Sequence, residues 1–210
     1  MADSSMIAAP PQESALLELV EIMARLRAEC GWKAAQTHRT LAKHLIEESY
    51  EAVEAIETLD EAGSFEHLRE ELGDVLLQVY LHAGIAAEAG EFDIEDVARG
   101  LRDKMLRRNP HVFGDVEETD PARINETWEA VKAAEKERAD VLDGIPLELP
   151  ALSRAAKVLD RLERAGNQLA PSDPDANDLG DRLLALVAEA RRTGVDPEQA
   201  LRDAVRRASA

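Results

Sequence analysis

Apolar side chains recur at helical spacing along most of the chain. In "SALLELVEIMARLRAEC" (14–30) they return every three or four residues, which is the period of one helix face. The same period predicts four more helices before residue 141. These run from Thr37 or Thr40, each a suitable N-cap, to about Leu59, and then over 65–90, 92–108 and 120–138.

Turn-forming residues separate the predicted helices. The connector 31–38 and the turn "DEAGS" (60–64) divide the first three helices. Gly90 is placed to end the third helix, Asp93 to cap the fourth, and Asn109-Pro110 to break it.

Composition supports the same class of fold. Aromatic residues make up only 3% of the chain, and Ala, Leu, Glu and Arg, which are strong helix formers, dominate it. β-branched and aromatic strand formers are scarce. We therefore expect an all-α helical bundle.

The C-terminal part resembles a shortened copy of the beginning. Segments 151–162, 179–186 and 196–207 align in order with 15–26, 72–79 and 93–104. We divide the chain into a flexible tail (1–13), a catalytic domain (14–141), a Pro-punctuated linker (142–150) and a degenerate, truncated repeat (151–210). The alternative is that helical sequences rich in Ala, Leu and Arg align with one another easily.

Charge and cysteine content restrict the function class. A net charge of −18 argues against a nucleic-acid binder and against attachment to an anionic membrane. Cys30 is the only cysteine, so no intrachain disulfide forms. The N-terminus lacks the features of a signal peptide, and no apolar run approaches a membrane span. We expect a cytoplasmic protein.

Two acidic pairs are spaced to meet across a helical hairpin. Glu48 and Glu51 share one face of the second helix, and Glu71 and Asp74 share one face of the third. The midpoint of 48 and 74 is 61, as is that of 51 and 71, and position 61 lies in the predicted turn. Antiparallel helices folded there bring the four carboxylates together.

Such a cluster is repulsive unless a cation occupies it. Carboxylate oxygens are ligands that Mg²⁺ and Mn²⁺ prefer, so the pattern suits a metal site with room for substrate phosphates. A solvated acidic face is the alternative, and we assign Glu54 and Glu57 to it. His44 and the stripe Asp74, Gln78 and His82 either orient the ligands or are satisfied polar groups beside the core.

These residues resemble a known family signature. "EESYE" followed by "EELGD" resembles the EExxE…ExxD signature of MazG-type nucleoside triphosphate pyrophosphohydrolases. The segments "CGWKAAQTH", "FDIEDVARGLRDKMLRRNPHVFGDV", "TWEAVKAAEKE" and "VLDGIPLELPALSRAAK" resemble MazG segments in the same order. The resemblance covers most of residues 15–165.

The chain departs from the family pattern at two places. The family commonly has Cys-Pro-Trp-Asp where this chain has Cys30-Gly31-Trp32-Lys33, and Arg-Arg-His-Pro-His where Asn109 replaces the first His. Both departures bear on substrate preference. The second repeat lacks EExxE and keeps only Asp178 and Asp181, so we expect no second active site.

The resemblance implies a role for each matching residue. The metal ligands that it implies are Glu48, Glu51, Glu71 and Asp74, holding Mg²⁺ or, in its place, Mn²⁺. Glu47 orients or deprotonates the attacking water, or has a structural role. The implied reaction cleaves the α–β bond of a nucleoside triphosphate, releasing a monophosphate and pyrophosphate.

Substrate contacts are implied at six further positions. Lys104 and Arg108 match phosphate-contacting positions, although basic residues there also complement the dipole at a helix C-terminus. Trp128 and Trp32 either stack on a base or anchor the core. Gln36 is a weaker candidate of the same kind, as is Lys132.

Other functions stay open at this stage. A dUTPase-like or phosphoribosyl-ATP pyrophosphohydrolase relative would share the all-α chemistry. A non-catalytic oligomerisation or regulatory module is the alternative of a different class, which the intact carboxylate set disfavours. Within the enzyme hypothesis we expect broad specificity or clearance of unwanted nucleotides, and at least a homodimer formed through the bundle.

Overall fold

The computed structural model describes residues 14–114, 116–135, 140–167 and 178–209, except for the side chains at 61, 133 and 134. The predicted tail, residues 136–138 of the fifth helix and most of the loop 167–178 lie outside these ranges. Within them the structure is helical and has no strands. The helices are α1 Ala15–Glu29, α2 Gly31–Ala34, α3 His38–Glu57, α4 Leu59–Ala62, α5 Glu66–Glu88, α6 Ile94–Arg108, α7 Pro110–Phe113, α8 Pro121–Ala134, α9 Ala151–Arg164, α10 Leu179–Arg192 and α11 Pro197–Ser209.

This architecture confirms the all-α prediction and most of its boundaries. Asp93 caps α6, and its side chain accepts a hydrogen bond from the Asp96 amide. Gly90 follows the end of α5 with φ +72°, a left-handed conformation that glycine adopts without steric cost. No helix in the described ranges is both long and apolar enough to cross a membrane.

The two predicted connectors are more helical than the sequence pattern indicates. The connector 31–38 contains the single-turn helix α2, and the turn 60–64 begins within α4. Both helices have four residues, too few for an apolar period to be recognised. Gly63, with φ +63°, then ends α4.

Both threonines proposed as caps of α3 participate in one capping box. The Thr37 side chain accepts a hydrogen bond from the Thr40 amide at 3.2 Å. In return, the Thr40 hydroxyl accepts one from the Thr37 amide at 2.9 Å. Two of the amides that a helix start leaves unpaired are thereby satisfied. The start of α3 is fixed at a defined residue.

Two compact units make up the chain, Met1–Trp128 and Glu129–Ala210. In the first, the core draws on α1, α3 and α5, and α6 adds Ile94 at its edge. Its buried residues are Met23, Leu41, Tyr80 and Leu81. The Tyr80 hydroxyl donates to the Leu16 carbonyl at 2.6 Å, which joins α5 to the start of α1.

A buried arginine joins three segments of the first unit. Arg27 on α1, 9% exposed, donates from Nε and Nη2 to the two carboxylate oxygens of Glu88 on α5, at 2.8 and 2.6 Å. Its Nη1 donates to the backbone carbonyls of Lys33 and Gln36. Arg27 therefore ties the stretch before α3 to both α1 and α5.

The second unit packs α9, α10 and α11 against one another. Leu159, Ala185 and Val187 are its buried apolar residues among those described. Asp178 caps α10 by accepting from the Asp181 amide at 3.1 Å. Asp178, one of the two acidic remnants of the proposed repeat, therefore has a structural role, while the duplication itself stays a prediction.

We expect the Arg27 contacts to be a main source of stability for the first unit. Arg27→Met removes the ion pair and leaves two carbonyls short of a donor, so it should lower the free energy of unfolding by about 2–4 kcal/mol. Glu88→Gln should cost less, about 1 kcal/mol, because the Glu88 side chain is half exposed. Urea unfolding followed by circular dichroism measures both, with Arg25→Met, an exposed arginine of α1, as the matched control.

The same pair predicts a pH dependence of known sign. The hydrogen bond from Arg27 holds the pKa of Glu88 below its ordinary value of 4.5. Its contribution is therefore fully present above pH 4.5 and is lost as the pH falls through the lowered pKa. The stability difference between wild type and Glu88→Gln should shrink in acid; a difference that grows there would contradict this assignment.

Candidate functional site

Three of the four predicted carboxylates converge between α3 and α5. Glu48 on α3 and Glu71 and Asp74 on α5 each offer an oxygen, and these oxygens lie within 4.8 Å of one another. All three residues are partly buried. The two helices pack along each other, so the hairpin brings together residues that are more than twenty positions apart in sequence.

Glu51 stands beside this group instead of completing it. It is exposed, and its carboxyl forms a hydrogen bond with that of Glu48. Burial raises the pKa of Glu48, and the charges of Asp74, Glu51 and Glu71 raise it further. The cluster therefore stores electrostatic repulsion that proton uptake or a cation would relieve.

The donor set of the cluster matches the preference of hard divalent cations. It consists entirely of carboxylate oxygens from residues that are neither fully buried nor fully exposed. Such a site can keep some of the waters of a cation such as Mg²⁺. The residues present therefore fit a divalent metal.

Glu47 points to a different partner from its neighbour Glu48. Its carboxylate oxygen Oε2 lies 2.9 Å from Nδ1 of His44, one turn earlier on α3. The His44 ring in turn meets the Trp32 ring edge-on, with centroids 6.1 Å apart. A chain of contacts thus runs from Trp32 through His44 to the edge of the acidic cluster.

His67 is a neighbour of the cluster that the sequence interpretation missed. Its Nε2 lies 3.1 Å from a carboxylate oxygen of Glu71, whose side chain is only 13% exposed. The two residues are four apart on α5, on one helix face. That spacing was the available signal, but apart from the spacing nothing in the sequence marks His67.

The stripe that follows Asp74 along α5 leads to another histidine. Gln78 is 4% exposed, and its Oε1 and the Nε2 of His82 are buried without a hydrogen-bond partner among the described residues. Nδ1 of His82 lies 2.7 Å from Nδ1 of His38, at the start of α3. Burial lowers the pKa of His82, and His38 lowers it further.

The predicted phosphate contacts lie at the end of α6. Arg108 stacks over the ring of Trp128, with its guanidinium carbon 5.4 Å from the ring centroid. Lys104 is partly buried one turn earlier. Lys132, the weaker candidate, forms an ion pair with Glu129 at 2.9 Å.

Trp32 and Gln36 precede α3 in the chain and so lie N-terminal to its acidic residues. Trp32 is 54% exposed and lies in α2. The Gln36 amide nitrogen donates to the Trp32 carbonyl at 3.0 Å, and its oxygen accepts from the Thr40 hydroxyl at 2.8 Å. Gln36 therefore shapes the segment around Trp32.

Comparisons with known proteins agree with this site. The family model described as the MazG nucleotide pyrophosphohydrolase domain matches residues 36–113, which include the entire acidic cluster. The 26.1 kDa protein from the blaB 3′ region of Streptomyces cacaoi is 47% identical over 192 residues, covering 90% of this chain and 77% of that protein.

Relatives with functional names are also similar to this chain. The nucleoside triphosphate pyrophosphohydrolase/pyrophosphatase MazG of Thermotoga maritima is 39% identical over 216 residues, covering 90% of this chain and 81% of that protein. The nucleoside triphosphate pyrophosphohydrolase of Escherichia coli strain K12 is 38% identical over 184 residues, covering 85% and 68%. With a matching family model and these relatives, the chain belongs to the MazG nucleotide pyrophosphohydrolase family.

Proposed function

We propose that this protein is a Mg²⁺-dependent nucleoside triphosphate pyrophosphohydrolase, converting (d)NTP and water to (d)NMP and pyrophosphate. The observation that carries the proposal is the convergence of Glu48, Glu71 and Asp74, in a chain of the MazG family. Broad specificity and a role in clearing unwanted nucleotides belong to the proposal, as does a cytoplasmic location.

The acidic cluster is assigned to holding the metal. Glu48, Glu71 and Asp74 supply oxygens directly, and Glu51 joins them when its carboxyl turns from Glu48. A divalent cation bound there neutralises phosphate charge and lowers the pKa of a bound water. Mn²⁺ would meet the same ligand preference as Mg²⁺.

The remaining residues position water and substrate. Glu47 is assigned to accepting the proton of the attacking water, because His44 engages only its Oε2 and fixes the carboxylate's direction. Lys104 and Arg108 are assigned to the phosphates, which an acidic chain would otherwise repel. Trp128, stacked under Arg108, supports that guanidinium or stacks on a base.

The C-terminal helices are proposed to be the degenerate second repeat, 151–210, joined by the linker 142–150. Of its two acidic remnants, Asp178 and Asp181, the first is engaged in capping α10. We assign this repeat no catalytic role.

Removal of single carboxylates tests the assigned chemistry. Glu71→Gln and Asp74→Asn should each lower kcat/KM for the preferred nucleotide at least about a hundredfold, because each removes a metal ligand. Products from a panel of (d)NTPs with Mg²⁺ would be separated by anion-exchange chromatography. Glu54→Gln, an exposed residue on the same helix as Glu48, is the matched control and should retain activity.

Two results would count against the proposal. The absence of turnover on every nucleotide would refute the enzyme assignment, as would full activity in both variants. Release of orthophosphate instead of pyrophosphate would be consistent with a hydrolase but would refute cleavage of the α–β bond.

Glu48→Gln should separate stability from metal binding. Without metal, it relieves repulsion within the cluster and should stabilise the protein by about 0.5–1 kcal/mol at neutral pH. Addition of Mg²⁺ should raise the melting temperature of wild type but not of the variant, since only a ligand bound to the folded state stabilises it. A less stable metal-free variant, or an equal response to Mg²⁺, would contradict the ligand assignment.

We also propose that the protein is a homodimer formed through the bundle. Ile46 and Tyr50 on α3 and Leu72 on α5 are 55%, 48% and 52% exposed beside the acidic cluster, and adjacent apolar side chains of this kind mark interaction surfaces. Light scattering should give at least twice the 23.0 kDa chain mass. A monomeric mass would refute the proposal.

A further inference from the structure

A cavity opens between α2 and the N-terminal part of α3, and none of the acidic cluster residues lines it. Its volume is about 420 Å³, within the range typical of small-molecule sites. The residues that line it are Trp32, Gln36, Arg39, Thr40, Lys43 and His44. We call it the Trp32 pocket.

The pocket contains an aromatic surface that suits a planar ligand. Trp32 is 54% exposed, although it is one of the largest apolar side chains in the unit. The Lys33 ammonium lies 5.2 Å from the centre of its ring, and the His44 ring meets it edge-on. Lys33 does not line the pocket, whereas Trp32 does, so the Lys33 ammonium leaves the indole surface on the cavity side uncovered.

The hydrogen-bonding groups left open in the pocket are mainly donors. Both ends of the Gln36 amide are engaged, and the Thr40 hydroxyl is bonded within the capping box. His44 has committed Nδ1 to Glu47. Arg39 and Lys43 have no ion pair or hydrogen bond among the described residues, and both side chains only donate.

The pocket and the acidic cluster are connected along α3. Thr40, His44 and Glu48 are spaced four apart on this helix, and Gln36 lies just before its start. Thr40 and Glu48 are separated by about 12 Å along the helix axis. This is the length scale of a nucleoside between its phosphate and the far edge of its base.

Stacking of a base on Trp32 is already implied by the family resemblance; we propose in addition that Arg39 and Lys43 of the Trp32 pocket set the base preference, favouring bases that present carbonyl oxygens, such as hypoxanthine and guanine, over adenine. Arg39 and Lys43 can donate a hydrogen bond to a carbonyl oxygen of the base. They cannot form one with the amino group of adenine, because that group is also a donor. The inference rests on the proposed function for the identity of the substrate. A phosphate group would attract the same cations, but the exposed indole favours a base.

The comparison of inosine and adenosine nucleotides tests this proposal. Wild type should show kcat/KM for ITP about five- to tenfold above that for ATP, and Arg39→Met combined with Lys43→Met should reduce the ratio to within about twofold. Trp32→Leu should lower kcat/KM for both nucleotides by about tenfold, because both bases stack. The matched control with the same charge change is Arg25→Met combined with Arg99→Met, two exposed arginines outside the pocket.

Binding measurements separate this inference from the proposed function. Calorimetric titration with IMP and AMP should give the same preference without turnover, and the pocket double variant should lose it. An inactive protein that retains the preference would refute the proposed hydrolase but support the pocket. The pocket assignment would be refuted by an active wild type that does not prefer inosine over adenosine nucleotides. It would also be refuted if the Arg39→Met, Lys43→Met variant kept that preference. Weaker inhibition of the double variant by tripolyphosphate, with the base preference intact, would identify a phosphate site and overturn the proposal.

Discussion

Mutual repulsion among Glu48, Glu71 and Asp74 is the constraint that the rest of the first unit must withstand. Their oxygens lie within 4.8 Å of one another, so α3 and α5 are pushed apart where they must stay close. Apolar burial is placed on both sides of this point along α3. Leu41 lies before Glu48, and Ala52 and Ala55 lie after it, all buried. The packing on either side holds the carboxylates at short range.

Much of the remaining restraint acts at one end of the two helices. The buried cluster of Met23, Leu41, Tyr80 and Leu81 joins α1, α3 and α5 there. Arg27 adds a charge-assisted connection from α1 to Glu88 and to the stretch before α3. Because this end is tied by both apolar contacts and ion pairing, the region around the carboxylates can be arranged for ligand binding instead of for stability. A trade of this kind is common where function requires unfavourable local electrostatics.

The sequence predicted the parts of the fold that depend on periodicity and on strong capping residues. The span of α3 and α5 and the cap at Asp93 followed from apolar spacing and side-chain chemistry. The two four-residue helices could not be predicted in this way, because one turn contains no period. The approach of Glu48 to Asp74 was predicted from their positions in the hairpin. In antiparallel helices, residues that are equally far from the connecting turn lie opposite each other.

Side-chain partners were beyond the reach of the sequence pattern. Nothing in it distinguishes Glu51, which turns to Glu48, from Glu71, which converges with Asp74. The same holds for the attachment of Glu47 to His44 and for the pairing of His38 with His82. These choices depend on rotamers and on the rotation of each helix about its axis, and residue spacing fixes neither of them closely enough.

The Arg27 guanidinium holds residues 33–36 by donating hydrogen bonds to the backbone carbonyl oxygens of Lys33 and Gln36. Every amino acid has such a carbonyl, so these contacts do not depend on which residues occupy the two positions. The backbone path of residues 33–36 therefore depends little on their side chains. Lys33 stands where the family commonly has Asp, yet its carbonyl is held by Arg27 all the same. A substitution at position 33 or 36 therefore leaves in place the two carbonyl contacts that position the entry into α3.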